Sequence, residues 1–308
     1  MATASVSFSE PILPVRSQSF GRQLLRHRLA QVGLLIITLL IGVALWTLLA
    51  DKVDPQWNRH LDPNAPVAGG ISELGQPKAP GEGFFLGADT LGRDVWTRTL
   101  YGTRISLIVA FCAMLTAIFI GTTVGLIGGY FGGWVDVALT RVTEAVLCLP
   151  TALLAITLLV VVDPKGFWPR LLSLLLAIGL VTWTGIARAV RGQVLSLKEQ
   201  EFIEAARAVG CSHARILWVH LLPNVMPTVI VLATLATAHN ILLEAGLSYL
   251  GLGMEPGVPS WGGMINEGQP YIIAAPWITL VPGCAIVLAV AGFNLLGQAL
   301  QETIEPRP

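Results

Sequence analysis

Leu29 to Ala50 is a run of 22 residues without a charged side chain. A helix of that length rises about 33 Å, enough to cross a hydrocarbon core about 30 Å thick. Five more apolar runs follow: Ile105 to Ile127, Val137 to Val162, Leu171 to Ala187, Asn224 to about Leu247, and Trp277 to Gly297. The chain therefore reads as an all-α integral membrane protein with six transmembrane helices. Charged residues make up only 12% of it, against about 25% in soluble domains. Nineteen basic and 19 acidic residues cancel, which leaves no basic surface for nucleic acid. Cys112, Cys148, Cys211 and Cys284 are scattered without a C-x-x-C pair, so they read as small buried hydrophobes, neither disulfide partners nor metal ligands.

Residues 1–28 form a polar tail that turns basic at Arg22, Arg26, His27 and Arg28. The run at 29–50 is longer than the apolar core of a secretory signal and lacks an A-x-A cleavage site, so it reads as a retained first helix with the tail inside the cell. Residues 51–104 are a Pro- and Gly-rich loop assigned to the outer side. Residues 105–300 form the main transmembrane domain, with a polar loop at 191–223, and 301–308 are a C-terminal tail. Gly128 to Gly133 reads as a tight turn, Pro150 as an interruption of the third span, and Gly251 to Ala275 as a second irregular segment. Six spans place both termini on the side of the 191–223 loop. Lys and Arg number 11 on that side and 8 on the other, a small excess in the direction expected for cytoplasm.

Within the polar loop, Ser196 and Glu199 have capping-box spacing, which predicts a helix from about Leu197. That helix would carry Glu204, Ala205 and Ala206 and end at Gly210, a residue suited to the left-handed position after a helix. Ser212 would cap a second helix bearing Arg215 and Trp218, and Pro223 would stop it. The expected shape is a helix–Gly–helix knob. This segment, E-A-A, three residues, Gly210, nine residues, then His220-Leu221-Leu222-Pro223, resembles the EAA loop of ABC-importer permeases. His220 departs from the apolar residue of the general pattern.

Leu86-Gly87-Ala88-Asp89-Thr90-Leu91-Gly92-Arg93-Asp94 is similar to the L-G-T-D-x-x-G-R-D segment of dipeptide, oligopeptide and nickel permeases, the C-type member of each permease pair. Leu247 to Gly253 with Pro259-Ser260-Trp261-Gly262, and Phe293 to Gly297 through Glu305-Pro306-Arg307, resemble the same branch, with Gln298, Glu302 and Glu305 where Asp is more usual. The resemblance implies an inner-membrane permease subunit, cytoplasmic at both ends, with an extra N-terminal helix ahead of a five-helix core. It implies partners: a sibling permease forming a heterodimer, two cytoplasmic ATPases, an extracytoplasmic solute-binding protein, and lipid. In that family Glu204, Ala205, Ala206, Gly210 and Pro223 would dock onto the ATPase. ATP and Mg would be bound by the partner ATPases and not by this chain.

The residues themselves agree on the last point. All four lysines follow Asp, Pro or Leu, so no G-K-[ST] phosphate loop exists. No nucleophile, base and orienting group share a face, and the chain is read as a transport subunit and not an enzyme. The other class considered is a secondary transporter or channel without ATPases, which would show an inverted repeat and would need no E-A-A knob.

Ionisable groups inside a membrane are costly and mark candidate sites. Arg141 and Glu144, spaced i, i+3, read as a self-neutralising pair. Glu244 is a candidate pathway or gate residue, with a structural hydrogen bond as the competing reading, and His239 is read as a packed, hydrogen-bonded side chain. Asp89 and Asp94 around Arg93 allow a binding site; the reading adopted is a capped interfacial helix whose charges pair locally. Pro150, Gly179, Gly185, Pro227, Pro282, Gly283 and Gly292 would permit close packing and bending.

Overall fold

The computed structural model describes residues 20–50, 62–73, 75–81 and 83–304. Most of the basic tail, residues 51–61 and the match at Glu305-Pro306-Arg307 lie outside the described residues. A short α1 (Phe20–Arg26) leads into α2 (Arg28–Ala50), the first expected span. α3 (Val95–Phe131) has 37 residues, about 55 Å, and is longer than a bilayer core. It starts ten residues before the expected Ile105, because Asp94 accepts hydrogen bonds from the Thr97 amide at 2.9 Å and its hydroxyl at 2.7 Å. The loop after α2 accordingly ends at Asp94 and not at Arg104. At its other end α3 absorbs Gly128 to Phe131, expected as part of a turn. The turn shrinks to Gly132 and Gly133, with φ of 67° and 54°.

The third span departs most from expectation. α4 (Gly133–Leu147) and α5 (Thr151–Val162) meet at 86° across Pro150. Proline supplies no backbone N–H, and its ring drives Leu149 out of helical geometry, so the break is sharp and not a gentle kink. Five helices among the described residues are long and apolar enough to cross a membrane, or six if this bent pair counts as one. α6 (Phe167–Leu197) follows, then α7 (Glu201–Ala208) and α8 (His213–Arg215). A π-helical turn (Ile216–Leu221) joins α8 to α9 (Leu222–Tyr249). The segment expected to be irregular contains α10 (Trp261–Gly268), capped by the Ser260 hydroxyl, before α11 (Trp277–Ile304). The described residues contain no strand, only isolated bridges at Ile71–Pro77 and Ala88–Asp94.

The most extensive interface is between α3 and α6. Gly121, Gly125 and Gly129 recur every fourth residue along α3, where side chains would otherwise stand. A Cβ on Gly125 would lie 2.7 Å from the Ala187 carbonyl oxygen, and one on Gly121 would lie 2.7 Å from that of Trp183. Such contacts are too close to exist, so the three glycines set the helix separation. This is the small-residue packing that replaces hydrophobic driving force inside lipid. Gly179 and Gly292 make similarly close approaches, to Thr116 and Ile36, whereas Gly185 and Gly283 face open space. α2 packs on α11 by one stripe that includes Ala30, Gly33 and Ile37, while Leu35, Leu39 and Leu49 on its other faces are exposed. An exposed leucine row of this kind is what a lipid-facing helix presents.

The two ends of the bundle can be told apart by contact. At one end the loop before α3 meets α10 and the start of α11, with Trp277 Nε1 donating to the Ala88 carbonyl at 3.0 Å. At the other, His27 before α2 pairs with Glu302 near the end of α11 at 3.0 Å. The α3 and α6 C-termini and α7 lie at that second end, joined by the bonds described below. Both ends of the described chain and the polar knob therefore share one face.

Candidate functional site

α7 begins later than its sequence suggested. Ser196 and Leu197 belong to the last turn of α6, Gln200 precedes α7, and no capping box forms. The reason is tertiary. Lys198 donates to the Gly129 carbonyl at 3.0 Å, so a cation at the end of α6 meets a free carbonyl at the end of α3, and α6 is held helical past the capping residues. The end of α7 is as expected. Gly210 sits at φ 82°, its amide bonds to Arg207 O at 2.9 Å, and the Cys211 amide reaches back to Ala206 O at 3.0 Å. That pair of bonds is a Schellman closure, which a left-handed glycine permits.

Ser212 caps the second helix by accepting from the Arg215 amide. Pro223 does not end that helix. Leu222 N bonds to Leu217 O, five residues back, and this π-helical widening absorbs the missing proline amide so that the chain runs on into α9. The knob is thus a short helix, a glycine hinge and the projecting foot of a long helix from His213 to Tyr249.

Its two faces differ. Ile203, Ala206, Ile216 and Leu221 are buried in one cluster with Val190, Val194 and Val225 from α6 and α9. Each of the larger side chains contributes about 1.5–3 kcal/mol by leaving water. Outward, Glu204, Ala205, Val209 and Gly210 are exposed, as are Trp218 and Val219. Trp218 and Val219 are each more than half exposed and Val209 85% exposed, so large apolar surface stands beside a carboxylate on a part of the chain flanked by charges. The E-A-A residues are thereby split: Glu204 and Ala205 face out, and Ala206 packs inward.

Polar contacts tie this knob to the end of α3, and others join α4 and α6 beside it. Tyr130 at the end of α3 shares a 2.7 Å hydrogen bond with His213 Nδ1, and the Arg207 guanidinium lies over the Tyr130 ring. Arg191 on α6 grips Asp136 on α4 through both carboxylate oxygens, the Nη2 contact being 2.7 Å. Arg141 and Glu144 pair at 3.0 Å on an exposed face of α4, as their spacing predicted.

Elsewhere the structure separates residues that sequence reasoning grouped. Glu244 is fully buried, accepting from Ser248 at 2.7 Å and Ser106 at 2.9 Å, so it has no surface on any open pathway in this conformation. His239 is exposed and not packed, a correction that follows from its angle round α9. Cys148 and Cys284 are likewise exposed instead of buried; all four cysteines are free.

At the opposite end, Asp94 caps α3 as expected, but the pairing of Asp89 and Arg93 is only partly local. Asp89 and Arg93 bond at 2.6 Å, and Arg93 and Arg98 also reach Glu267 on α10, at 2.7 and 2.9 Å. Asp89, Arg93 and Arg98 are all buried. Sequence reasoning missed Glu267 and Arg98, since the bonded residues lie 174 and 169 positions apart.

Comparison with known proteins places this architecture. Residues 121–308, well over half the chain, match the family described as binding-protein-dependent transport system inner membrane component. The chain is 39% identical over 286 residues to the dipeptide transport system permease protein DppC of Alkalihalophilus pseudofirmus, covering 93% of this chain and 88% of the relative. It is 33% identical to the glutathione transport system permease protein GsiD of Pectobacterium atrosepticum, over 94% and 91% of the two chains. It is 34% identical to the oligopeptide transport system permease protein OppC of Bacillus subtilis, over 91% and 86%. A helical, multi-pass chain with this match along nearly its whole length belongs to the binding-protein-dependent inner-membrane components, the permease subunits of ABC importers, and is a transport subunit and not an enzyme.

Proposed function

We propose that the chain is the C-type permease of a peptide importer and that the knob from Glu201 to Leu221 seats in a cytoplasmic ATPase. One observation carries the reading: exposed apolar surface at Val209, Trp218 and Val219, beside exposed Glu204 and Ala205, stands on a base buried in the bundle. Such a surface asks for a protein partner. Small Ala205 and side-chain-free Gly210 let that partner approach the backbone, and Glu204 supplies a charge to orient it. The base then carries partner movement into the membrane. A displaced knob pulls on α3 through Tyr130–His213, and continuity with α9 transmits the same displacement along that span.

ATP and Mg are held by the two ATPase subunits in this scheme, and a sibling permease completes the pathway. A solute-binding protein delivers cargo at the end bearing the 62–94 loop and α10. The knob face, with both ends of the described chain, is then cytoplasmic. Peptides are the cargo class because the relatives with whole-chain similarity carry the names dipeptide, oligopeptide and glutathione permease. The test is uptake of a labelled dipeptide into proteoliposomes holding the whole transporter. Wild type should take it up with ATP only. Glu204→Lys should assemble in the membrane and lose uptake; full uptake by that variant would show that the knob does not couple.

A further inference from the structure

Three strongly polar side chains occupy consecutive turns in the outer part of α9: His239, Asn240 and Glu244. Two are sealed. Asn240 donates to the Ala110 carbonyl at 3.3 Å, and Glu244 accepts from Ser106 and Ser248; both are fully buried against α3. These bonds fix the rotation of α9. His239 lies five residues before Glu244, about 140° round the helix axis, and so is turned to the far side. It is exposed there, with Leu242, Gly246 and Leu250 on the same stripe, and bonds to no described residue. The stripe has a gap in its middle, since a Cβ on Gly246 would meet nothing within 4 Å.

Depth makes this informative. His239 is ten residues before Tyr249 at the end of α9, about 15 Å along the axis, or roughly half the thickness of a hydrocarbon core. An imidazole held at that depth against acyl chains has lost water and gained no partner, a costly placement. The exposed face of α2 shows what lipid contact looks like here: from Val32 onward it carries Leu35, Leu39 and Leu49, with the hydroxyl of Thr38 among them and no ionisable group. The α9 stripe shares its leucines, Leu242 and Leu250, but sets an imidazole and the bare backbone of Gly246 among them.

We propose that His239 lines the translocation pathway and hydrogen-bonds the carboxylate or backbone carbonyl of cargo in transit. A peptide crossing about 30 Å of apolar surroundings has donors and acceptors that must be matched, and of the three polar groups on this stretch of α9 only His239 is free to do so. The claim rests on the importer reading above and adds a residue that touches cargo.

The test uses the assembled transporter with its four native cysteines replaced by serine. His239→Cys should react with a charged, membrane-impermeant thiol reagent about tenfold faster than Leu39→Cys, the lipid-facing control, and alanyl-alanine with ATP should slow that reaction. His239→Leu should lower the kcat/KM of alanyl-alanine uptake about tenfold, the worth of one hydrogen bond to a charged group, while His239→Asn retains most of it. If His239→Cys is as inert as Leu39→Cys, the residue faces lipid or is sealed against the second permease, and the proposal fails. Reactivity without protection, together with full uptake by His239→Leu, would equally overturn cargo contact. Should the unsubstituted transporter ignore alanyl-alanine, the peptide assignment fails separately, and reactivity still decides whether His239 faces the pathway.

Discussion

Gly210 combines φ 82° with nothing within 4 Å of where a Cβ would stand, so a side chain there meets backbone strain and not a clash. Gly210→Ala should cost about 1–2 kcal/mol, the penalty for an L-residue in the left-handed region, seen as a lowered unfolding temperature in detergent. Uptake should fall further than stability because the hinge angle of the knob changes; undiminished uptake would mean that this angle is immaterial. Glu267 is a different case. It faces the two buried guanidiniums of Arg93 and Arg98, leaving only Asp89 to balance them if it is neutralised. Breaking a buried pair costs about 3–5 kcal/mol, reduced here to about 2–3 because the Glu267 side chain is 33% exposed. Glu267→Gln should therefore melt well below wild type, and an unchanged melting curve would remove this network from the account of how α10 is held. The local parts of both sites were legible: Gly210 after an apolar-patterned helix, and Asp94 before Val95. Glu267 was not, because a partner 174 positions away leaves no local signal.

Among elements, the α3–α6 seam makes a contrast that one pair of substitutions tests. Gly125 and Gly192 are both helical glycines, but a Cβ on the first would collide with the Ala187 carbonyl and one on the second would meet nothing. Gly125→Ala should destabilise by about 1–3 kcal/mol through overpacking, and Gly192→Ala should be neutral or stabilising by up to about 1 kcal/mol through helix propensity. Equal effects in a thermal unfolding assay would show that the seam is not close-packed in the membrane. Apolar run length located the spans, since it depends only on the bilayer. Element ends were less legible, because contacts between helices decide them. The capping signal at Ser196 lost to Lys198 bonding α3, and the stop signal at Pro223 lost to a π-helical turn. At Pro150 the interruption was readable, but its 86° angle depends on what α4 and α5 pack against.

At the scale of the whole molecule, one end of the bundle gathers the knob, the α3, α6 and α11 C-termini and the start of α2, and the other gathers the buried charge network, α10 and the loop before α3. α3 and α9 connect the two ends, each a single element running the full depth of the bundle. The Gly210 and Ser212 signals in the sequence foretold the helix–Gly–helix knob, and the resemblance singled out its E-A-A residues. It did not show that only Ala206 of the three would be buried, which comes from docking α7 against Ile216 and Leu221. The most direct test of this account is affinity purification of the chain from its native membranes, wild type beside Glu204→Lys, with mass spectrometry of the proteins that come with it. Wild type should bring down ATPases bearing Walker motifs together with a sibling permease, and the variant should keep the permease and lose the ATPases. A wild-type chain recovered alone, or a variant that retains its ATPases in full, would contradict the assignment of the knob as the coupling element.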